Sequence, residues 1–288
     1  VRSRLYPLLL VLLVGFSAVP AWAGEPVYWS YVSFPPHIVV QEHGKLSGSL
    51  IALQRELERE LAEYEHVAVE APLSRALLGA TRGDRYCMAG VFRRPEREKV
   101  LLFSSPSRIT GPFVAVTLRG GLDAWKNEEG HVSLRELLAD HTLITGRIAD
   151  MSYGPEVDRI FDKCADEENI INMYELGTLE RPLRLLVSGR VAYMVLSPDQ
   201  AWYVIRTQGL EEALELVPLV EARTWQTGHT ACTRSHWGRA VMPRLEAALQ
   251  RLRKNGRLKA ICRKDVPPSM LADFDAAWDQ IMGPYMEH

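Results

Sequence analysis

The sequence predicts an α/β protein of two Rossmann-like lobes joined by a two-crossing hinge. Three observations predict it. Strand-like and helix-like stretches alternate as β–α–β–α–β in the first third of the chain, and the alternation starts again further on. Such alternation implies a mainly parallel sheet with right-handed crossovers in each run. Two strand-like crossings, near residues 113–118 and 228–232, separate the second run from its flanks. The C-terminal helices bring no strands of their own, so they are expected to pack back on the first lobe. Residues 24–113 with 229–288 are thus expected to form a discontinuous first lobe, and 114–228 the second.

Arg2 and Arg4 precede an apolar run from Leu8 to Val14, and Ala21-Trp-Ala23 before Gly24 fits a small-x-small cleavage site. Residues 1–23 are therefore expected to be a cleaved export signal, with the mature protein in the periplasm. The run is shorter than the ~20 residues that span a bilayer.

In the first lobe, Val27-Tyr-Trp-Ser-Tyr-Val32 alternates like a strand, and Phe34-Pro35-Pro36 ends it. His37 to Gln41 is a short extended piece. Ser47-Gly-Ser49 offers a cap for a helix through Leu50, Leu53, Leu57 and Leu61. His66 to Glu70 is a strand, Pro72 opens a helix that ends at Gly83, and Tyr86 to Gly90 is the third strand. In the second lobe, Pro112 to Leu118 is a strand and Ser133-Leu-Arg-Glu a capping box. His141 to Thr145 is expected as a strand, with Gly146 opening a loop to a helix from Gly154 to Cys164. Strands at 169–174, 191–195 and 214–219 alternate with helices at 179–188 and from Ser197 onward. Extended Gly228 to Thr233 leads to a helix from Gly238 to Lys254, a stop at Gly256 and a last helix over 270–282.

Lys and Arg number 34 against 36 Asp and Glu, and no basic run stands apart from acidic neighbours. Nucleic acid and anionic membrane are poor partners for such a surface. Cys87, Cys164, Cys232 and Cys262 show neither CxxC nor zinc-like spacing, and no cofactor is implied. The eight histidines are scattered and are read as mostly surface or loop residues. Glu56 and Glu60 lie one helical turn apart but belong to a charged outer face rather than to an acid/base pair.

The stretch with the clearest chemistry follows the third strand: Gly90-Val-Phe-Arg-Arg-Pro-Glu-Arg97, then Phe103-Ser-Ser-Pro106. A guanidinium just beyond the carboxyl end of a strand is placed to grip a carboxylate or phosphate. The alternative for Arg97 is a loop ion pair with Glu96 or Glu98.

From these residues the chain resembles the family 3 extracellular solute-binding proteins, with the type II periplasmic binding fold. Trp29 to Pro36 resembles the family's first strand and aromatic-Pro-Pro exit. Gly44 to Leu53 resembles its turn into the first helix. Arg97 with Phe103-Ser-Ser-Pro106 resembles its T-x-x-R…F-S-x-P signature, and Leu183 to Val195 its helix, Gly-x-hydrophobic-Asp and strand. The resemblance implies a ligand set of Arg97, Gly90, Phe92 and Phe34, with Ser197 where relatives that bind an α-amino group keep an aspartate. Asp199 stands two residues on. Trp29 and Tyr31 share one strand face, lining a pocket or filling the core, and Arg75 at a helix start faces the cleft or solvent. Ser152 and Tyr153 lie at a helix N-terminus that favours an anion.

Arg94 replaces the threonine, Phe92 the small polar residue and Ala192 the aspartate of these signatures. The departures point to a bulkier, more aromatic or more anionic solute than a common amino acid. The implied topology makes Cys87–Cys232 the expected disulfide, with Cys232–Cys262, or free buried thiols, as alternatives.

The implied function is capture of a small anionic or zwitterionic, amino-acid-like solute by a monomer that serves an ABC permease. A sensor accessory to a membrane receptor is the alternative, and a dehydratase-like enzyme a more distant one. No catalytic constellation emerges from the residues, so a non-enzymatic protein is expected.

Overall fold

The computed structural model describes residues 26–149, 152–164, 168–173 and 179–286. The expected export signal lies outside the described residues.

The chain runs β1 (Pro26–Tyr31), β2 (Val39–Val40), β3 (Leu46–Ser47), α1 (Ser49–Glu60), β4 (Glu65–Glu70), α2 (Leu73–Thr81), β5 (Tyr86–Phe92), α3 (Pro95–Glu98) and β6 (Leu101–Thr110). It continues with β7 (Val114–Leu118), α4 (Leu134–Ala139), β8 (Thr145–Ile148), α5 (Pro155–Lys163), β9 (Ile170–Met173), α6 (Glu180–Val187), β10 (Tyr193–Leu196), α7 (Pro198–Thr207) and β11 (Leu214–Pro218). It ends with β12 (Gln226–Thr233), α8 (His236–Lys254), α9 (Arg257–Arg263) and α10 (Leu271–Met282).

Two five-stranded sheets organise the described residues: β4-β1-β5-β12-β6 and β11-β7-β10-β8-β9. In the first, β4, β1 and β5 are parallel, as the βαβαβ pattern requires, and β12 returns antiparallel between β5 and β6. Each sheet sits over its own apolar core. The first gathers Val27, Trp29, Leu53 and Leu57 with Leu245, Leu249, Phe274 and Trp278 of the C-terminal helices. Those helices therefore do cover the first lobe. The second sheet is covered on both faces, by Leu134, Leu137 and Phe161 on one side and Leu183, Leu186 and Ile205 on the other.

Two strand-like stretches were expected to cross between lobes, yet each belongs to a single sheet. β7 lies wholly in the second and β12 in the first. The connecting segments are 111–113 and 219–225.

β6 is a ten-residue strand that runs straight through Phe103-Ser-Ser-Pro106. The proline is accommodated where the β12 register shifts beside His229. β8 occupies 145–148, not 141–145 as expected. Asp140 caps the Thr142 N–H at 3.0 Å and turns the chain there. Gly146 lies inside the sheet because a Cβ would come within 2.5 Å of Met173 and 3.0 Å of Met194. Its glycine marks close approach, not a loop. Gly256, read as a stop, has φ +72° and starts the further helix α9.

Cys87 and Cys232 face each other in the β5/β12 register and form a disulfide. Cys262 is a buried free thiol, which burial pushes up to about 12. No helix among the described residues is long and apolar enough to cross a membrane.

Candidate functional site

Where β1 and β5 end, side by side and parallel, the chain leaves the sheet with exposed apolar rings. Phe34 follows β1 and is 40% exposed, and Phe92 closes β5 at 36%. Arg97 sits in the short α3 that follows. Its Nη1 donates to the Phe92 carbonyl at 2.9 Å, and no described carboxylate pairs with it. The loop ion pair goes instead to Arg93, which holds Glu98. Burial, then repulsion from Arg94, lowers the Arg97 pKa, against a smaller opposing pull from Glu96.

Gly90, with φ +76°, opens the space beneath. A Cβ there would stand 2.6 Å from Leu50 Cδ2 and 3.1 Å from Arg108 Cδ. Gly228, opposite Arg108 in the β12/β6 register, is equally constrained: its Cβ would lie 2.6 Å from Arg108 Cγ. Two glycines on adjacent strands thus form a trough in which the Arg108 side chain lies flat. The guanidinium emerges at the gap between the lobes.

Four ionisable groups meet at that gap. His37 Nε2 is 2.7 Å from Asp199 Oδ2, and its Nδ1 is 2.9 Å from Asp265 Oδ2 and 3.2 Å from Ser49 Oγ. Arg108 Nη2 stands 3.6 Å from Asp199 Oδ2 and donates to Thr110 Oγ1 at 2.8 Å. Asp199 lies in the first turn of α7, where N-cap Ser197 and the Gln200 N–H both donate to its Oδ1. Burial works against its charge. The His37 and Arg108 charges and the hydrogen bonds from His37 and Ser197 outweigh that, and hold the carboxyl well below the usual carboxylate range. Beside this cluster lies a cavity of about 30 Å³, lined by Leu50, Leu53, Ile109, Trp225, Ile261 and Met270. Such a space suits one or two waters and not an amino acid.

The structure thus brings together Phe34, Gly90 and Ser197 of the expected set with Asp199, around His37, Arg108 and Asp265, which the sequence did not single out. The Phe34 ring is tilted over His37 at 5.3 Å. His37 itself is 3% exposed, so the expectation of surface histidines fails here, and also at His229, whose Nδ1 donates to the Ser104 carbonyl at 2.9 Å from the sheet interior.

Other expected ligand residues lie elsewhere. Trp29 is a core residue at 1% exposure, and its Nε1 donates to His66 Nδ1 at 3.0 Å. Tyr31, two residues on, packs partly buried against Ile38, Leu50 and Ile51, so the two do not share one environment. Arg75 is exposed on α2 with no described side-chain partner. Tyr153 is buried between Phe113 and Phe161, with its hydroxyl on the Ile148 backbone, and burial pushes its pKa up to about 12. Ser152 donates to Asp158 Oδ2 at 2.7 Å, and Asp158 also takes the Tyr153 N–H. An internal carboxylate therefore occupies the anion-favouring end of α5. The preceding Asp150 and Met151 lie outside the described residues. Glu56 and Glu60 hold Arg257 and Arg251 of the C-terminal helices.

The model of the bacterial extracellular solute-binding proteins, family 3, matches residues 29–265. The chain belongs to this family. Among solved structures, an ancestral cationic amino acid solute-binding protein is similar to this family 3 protein at 16% identity, with a TM-score of 0.63 over 85% of this chain and 96% of that one. The probable amino-acid ABC transporter extracellular-binding protein YtmK of Bacillus subtilis is similar at 17% identity, with a TM-score of 0.59 over 84% and 99%. A histidine kinase sensor domain with similarity to periplasmic binding proteins follows at 18% identity and 0.55, over 83% and 95%. At these identities the likeness is one of fold. No curated protein matches the chain significantly.

Proposed function

We propose that this protein captures a small, amino-acid-like solute bearing a carboxylate and delivers it to a membrane ABC importer from the periplasm. The observation that carries the reading is the Arg97 guanidinium just past the carboxyl end of β5, bonded to the Phe92 carbonyl and paired with no described carboxylate, with the exposed Phe34 and Phe92 rings at the ends of β1 and β5. In open α/β sheets, ligands bind at those strand ends. Arg97 supplies a two-pronged grip on a carboxylate, and Phe34 and Phe92 supply apolar walls. We assign Ser197, at the start of α7, to the same solute from the second lobe. Phe92 and Arg94, in place of smaller polar residues, favour a bulkier or more anionic solute than a common amino acid. The amino-acid-binding proteins of the same fold support the solute class.

A thermal-shift screen of amino acids, dicarboxylates and aromatic acids, with native mass spectrometry of the freshly purified protein, tests this. A ligand at about 100 times its Kd stabilises the folded state by ~2.7 kcal/mol. Arg97→Ala then lowers affinity by about 10- to 150-fold, the weight of a charge-assisted pair. A screen without shifts and a mass spectrum without bound solute would sink the reading. The sensor alternative is favoured by the histidine kinase sensor domain of the same fold. It requires that deletion of the gene alter a response while solute uptake stays intact.

A further inference from the structure

Asp199 alone among the four clustered groups comes from the second lobe. His37 follows β1, Arg108 lies on β6, and Asp265 follows α9, all on the first-lobe side. We propose that His37, clamped between Asp199 and Asp265, is a proton-dependent latch that fixes the angle between the two lobes.

An ionised carboxylate only accepts, so contacts of 2.7 Å and 2.9 Å to opposite ring nitrogens each need an N–H. A neutral imidazole has one; an imidazolium has two. The guanidinium is also donor-only, so its 3.1 Å approach to His37 Nε2 is not a hydrogen bond between like charges. It is tolerated because Asp199 Oδ2, 2.7 Å from His37 Nε2 and 3.6 Å from Arg108 Nη2, offsets both cations.

Charge gives the same answer. The groups facing His37 are Asp199 from α7, Asp265 after α9, Arg108 from β6 and the Ser49 hydroxyl of α1, with the neutral Cys262 thiol in the adjoining cavity wall. Two carboxylates, one guanidinium and one imidazolium sum to zero. With the imidazole neutral, a net negative charge stays buried, since His37 is 3% and Asp199 7% exposed. Placing the second proton on Asp265 rather than Nδ1 leaves the proton count unchanged. The assembly therefore holds one proton that it releases when the lobes part.

Position makes this a lever. Pro198, next to Asp199, would meet a Cβ on Gly111 at 3.2 Å, and Gly111 opens one of the two connecting segments. Trp225, in the other, packs into the cores of both lobes. Rotation about these segments moves Asp199 over a short arc. A shift of ~1 Å is enough to break a 2.7 Å hydrogen bond. Protonated, the latch holds the lobes at this angle; deprotonated, it leaves like charges facing each other and frees the hinge. Nothing in the scheme depends on which solute is bound.

The test uses the solute-free protein between about pH 5.5 and about pH 9. Small-angle scattering reads the lobe angle. Amide exchange at Gly111, Phe113 and 219–225, corrected for intrinsic base catalysis, reads the hinge. The expected result is a larger radius and roughly tenfold faster hinge exchange at the alkaline end for the wild type. Asp199→Asn should be open at both ends, and His37→Gln should lose the pH response. Thermal melts establish that each variant is folded. If either is not, the His37 ring resonances of the wild type, assigned by difference, must titrate together with hinge exchange. Wild-type scattering and exchange that do not change with pH, or Asp199→Asn protein that keeps the wild-type response, overturn the proposal.

Discussion

Removing the Cys87–Cys232 bridge should destabilise the protein by several kcal/mol, and the structure sets the size. The two cysteines are 145 residues apart, and the chain between them includes the whole second sheet. If the second lobe unfolds with the first, the bridge closes a loop of that full length, and chain-entropy loss amounts to about 5 kcal/mol. If the second lobe stays folded, β7 and β11 already hold its ends together as paired strands. The effective loop then shrinks to about 40 residues, and the term falls to about 4 kcal/mol. The logarithm keeps both estimates close, so the expectation survives either unfolding order. The assay is urea unfolding of the Cys87→Ser/Cys232→Ser double variant, followed by tryptophan fluorescence and compared with wild type in oxidising and reducing buffer. Reduced wild type and the double variant should coincide, and both should lie well below the oxidised protein. Agreement of all three within about 1 kcal/mol would refute the reasoning, because the bridge would then restrict nothing that the β5/β12 pairing does not already restrict.

Trp29→Ala should cost about 3–5 kcal/mol, because a fully enclosed indole is lost and His66 is left without its donor. Its effect on solute affinity should be no larger than the stability loss explains, as titration calorimetry on the folded fraction would show. Gly90→Ala should destabilise by about 2–4 kcal/mol through a left-handed backbone and a clash with Leu50, and should displace Arg108 from its trough. A thermal melt within a degree of wild type would contradict the trough. Stability should also fall in acid. The Asp199 carboxyl titrates below its unfolded value of ~3.9, so its contribution is complete above about pH 4 and is lost as pH drops through the folded value. Asp199→Asn should flatten that limb of the pH–stability curve, measured by urea midpoints.

Periodicity and punctuation made much of the fold legible. The spacing of Leu50, Leu53, Leu57 and Leu61 gave α1 its buried face, and the alternation of strands with helices gave the parallel runs β4-β1-β5 and β10-β8-β9, although each sheet is completed by antiparallel pairings at β12 and β7. The misses share a cause, namely that local pattern cannot register what another segment brings close. Gly146 looked like a loop opener because its neighbours Met173 and Met194 are 27 and 48 positions away. Phe103-Ser-Ser-Pro106 was read only as a signature and not as a strand, whereas a buried Arg253 donates to Ser105 Oγ and the Pro106 carbonyl and holds β6 in place there. Ser49 looked like a helix cap, yet it has no capping bond. Gly48 before it lets the backbone approach the His37 carbonyl, and the hydroxyl turns to the His37 ring.

The candidate site divides along the same line. Arg97, Phe34 and Phe92 became candidates through resemblance to the family's signatures, and they lie at or just beyond strand ends, where sequence order and spatial position coincide. The latch was not, since its members are separated by up to 228 positions. His37 carries no signal beyond being a histidine near a Pro-Pro exit, and Asp199 stood out only as an acid two residues from the position where relatives keep an aspartate. One local trace did exist. Gly90 and Gly228 both occur in strands, where glycine weakens pairing unless something must pass close by. Two such glycines on what the topology makes adjacent strands call for a long side chain across them, and Arg108 is the basic residue whose register meets Gly228. From Arg108 the chain of inference continues without further structure. A cation laid into a gap between lobes needs an acid on the facing lobe, and Asp199, at the start of the helix that follows β10, is the acid that the second lobe presents there.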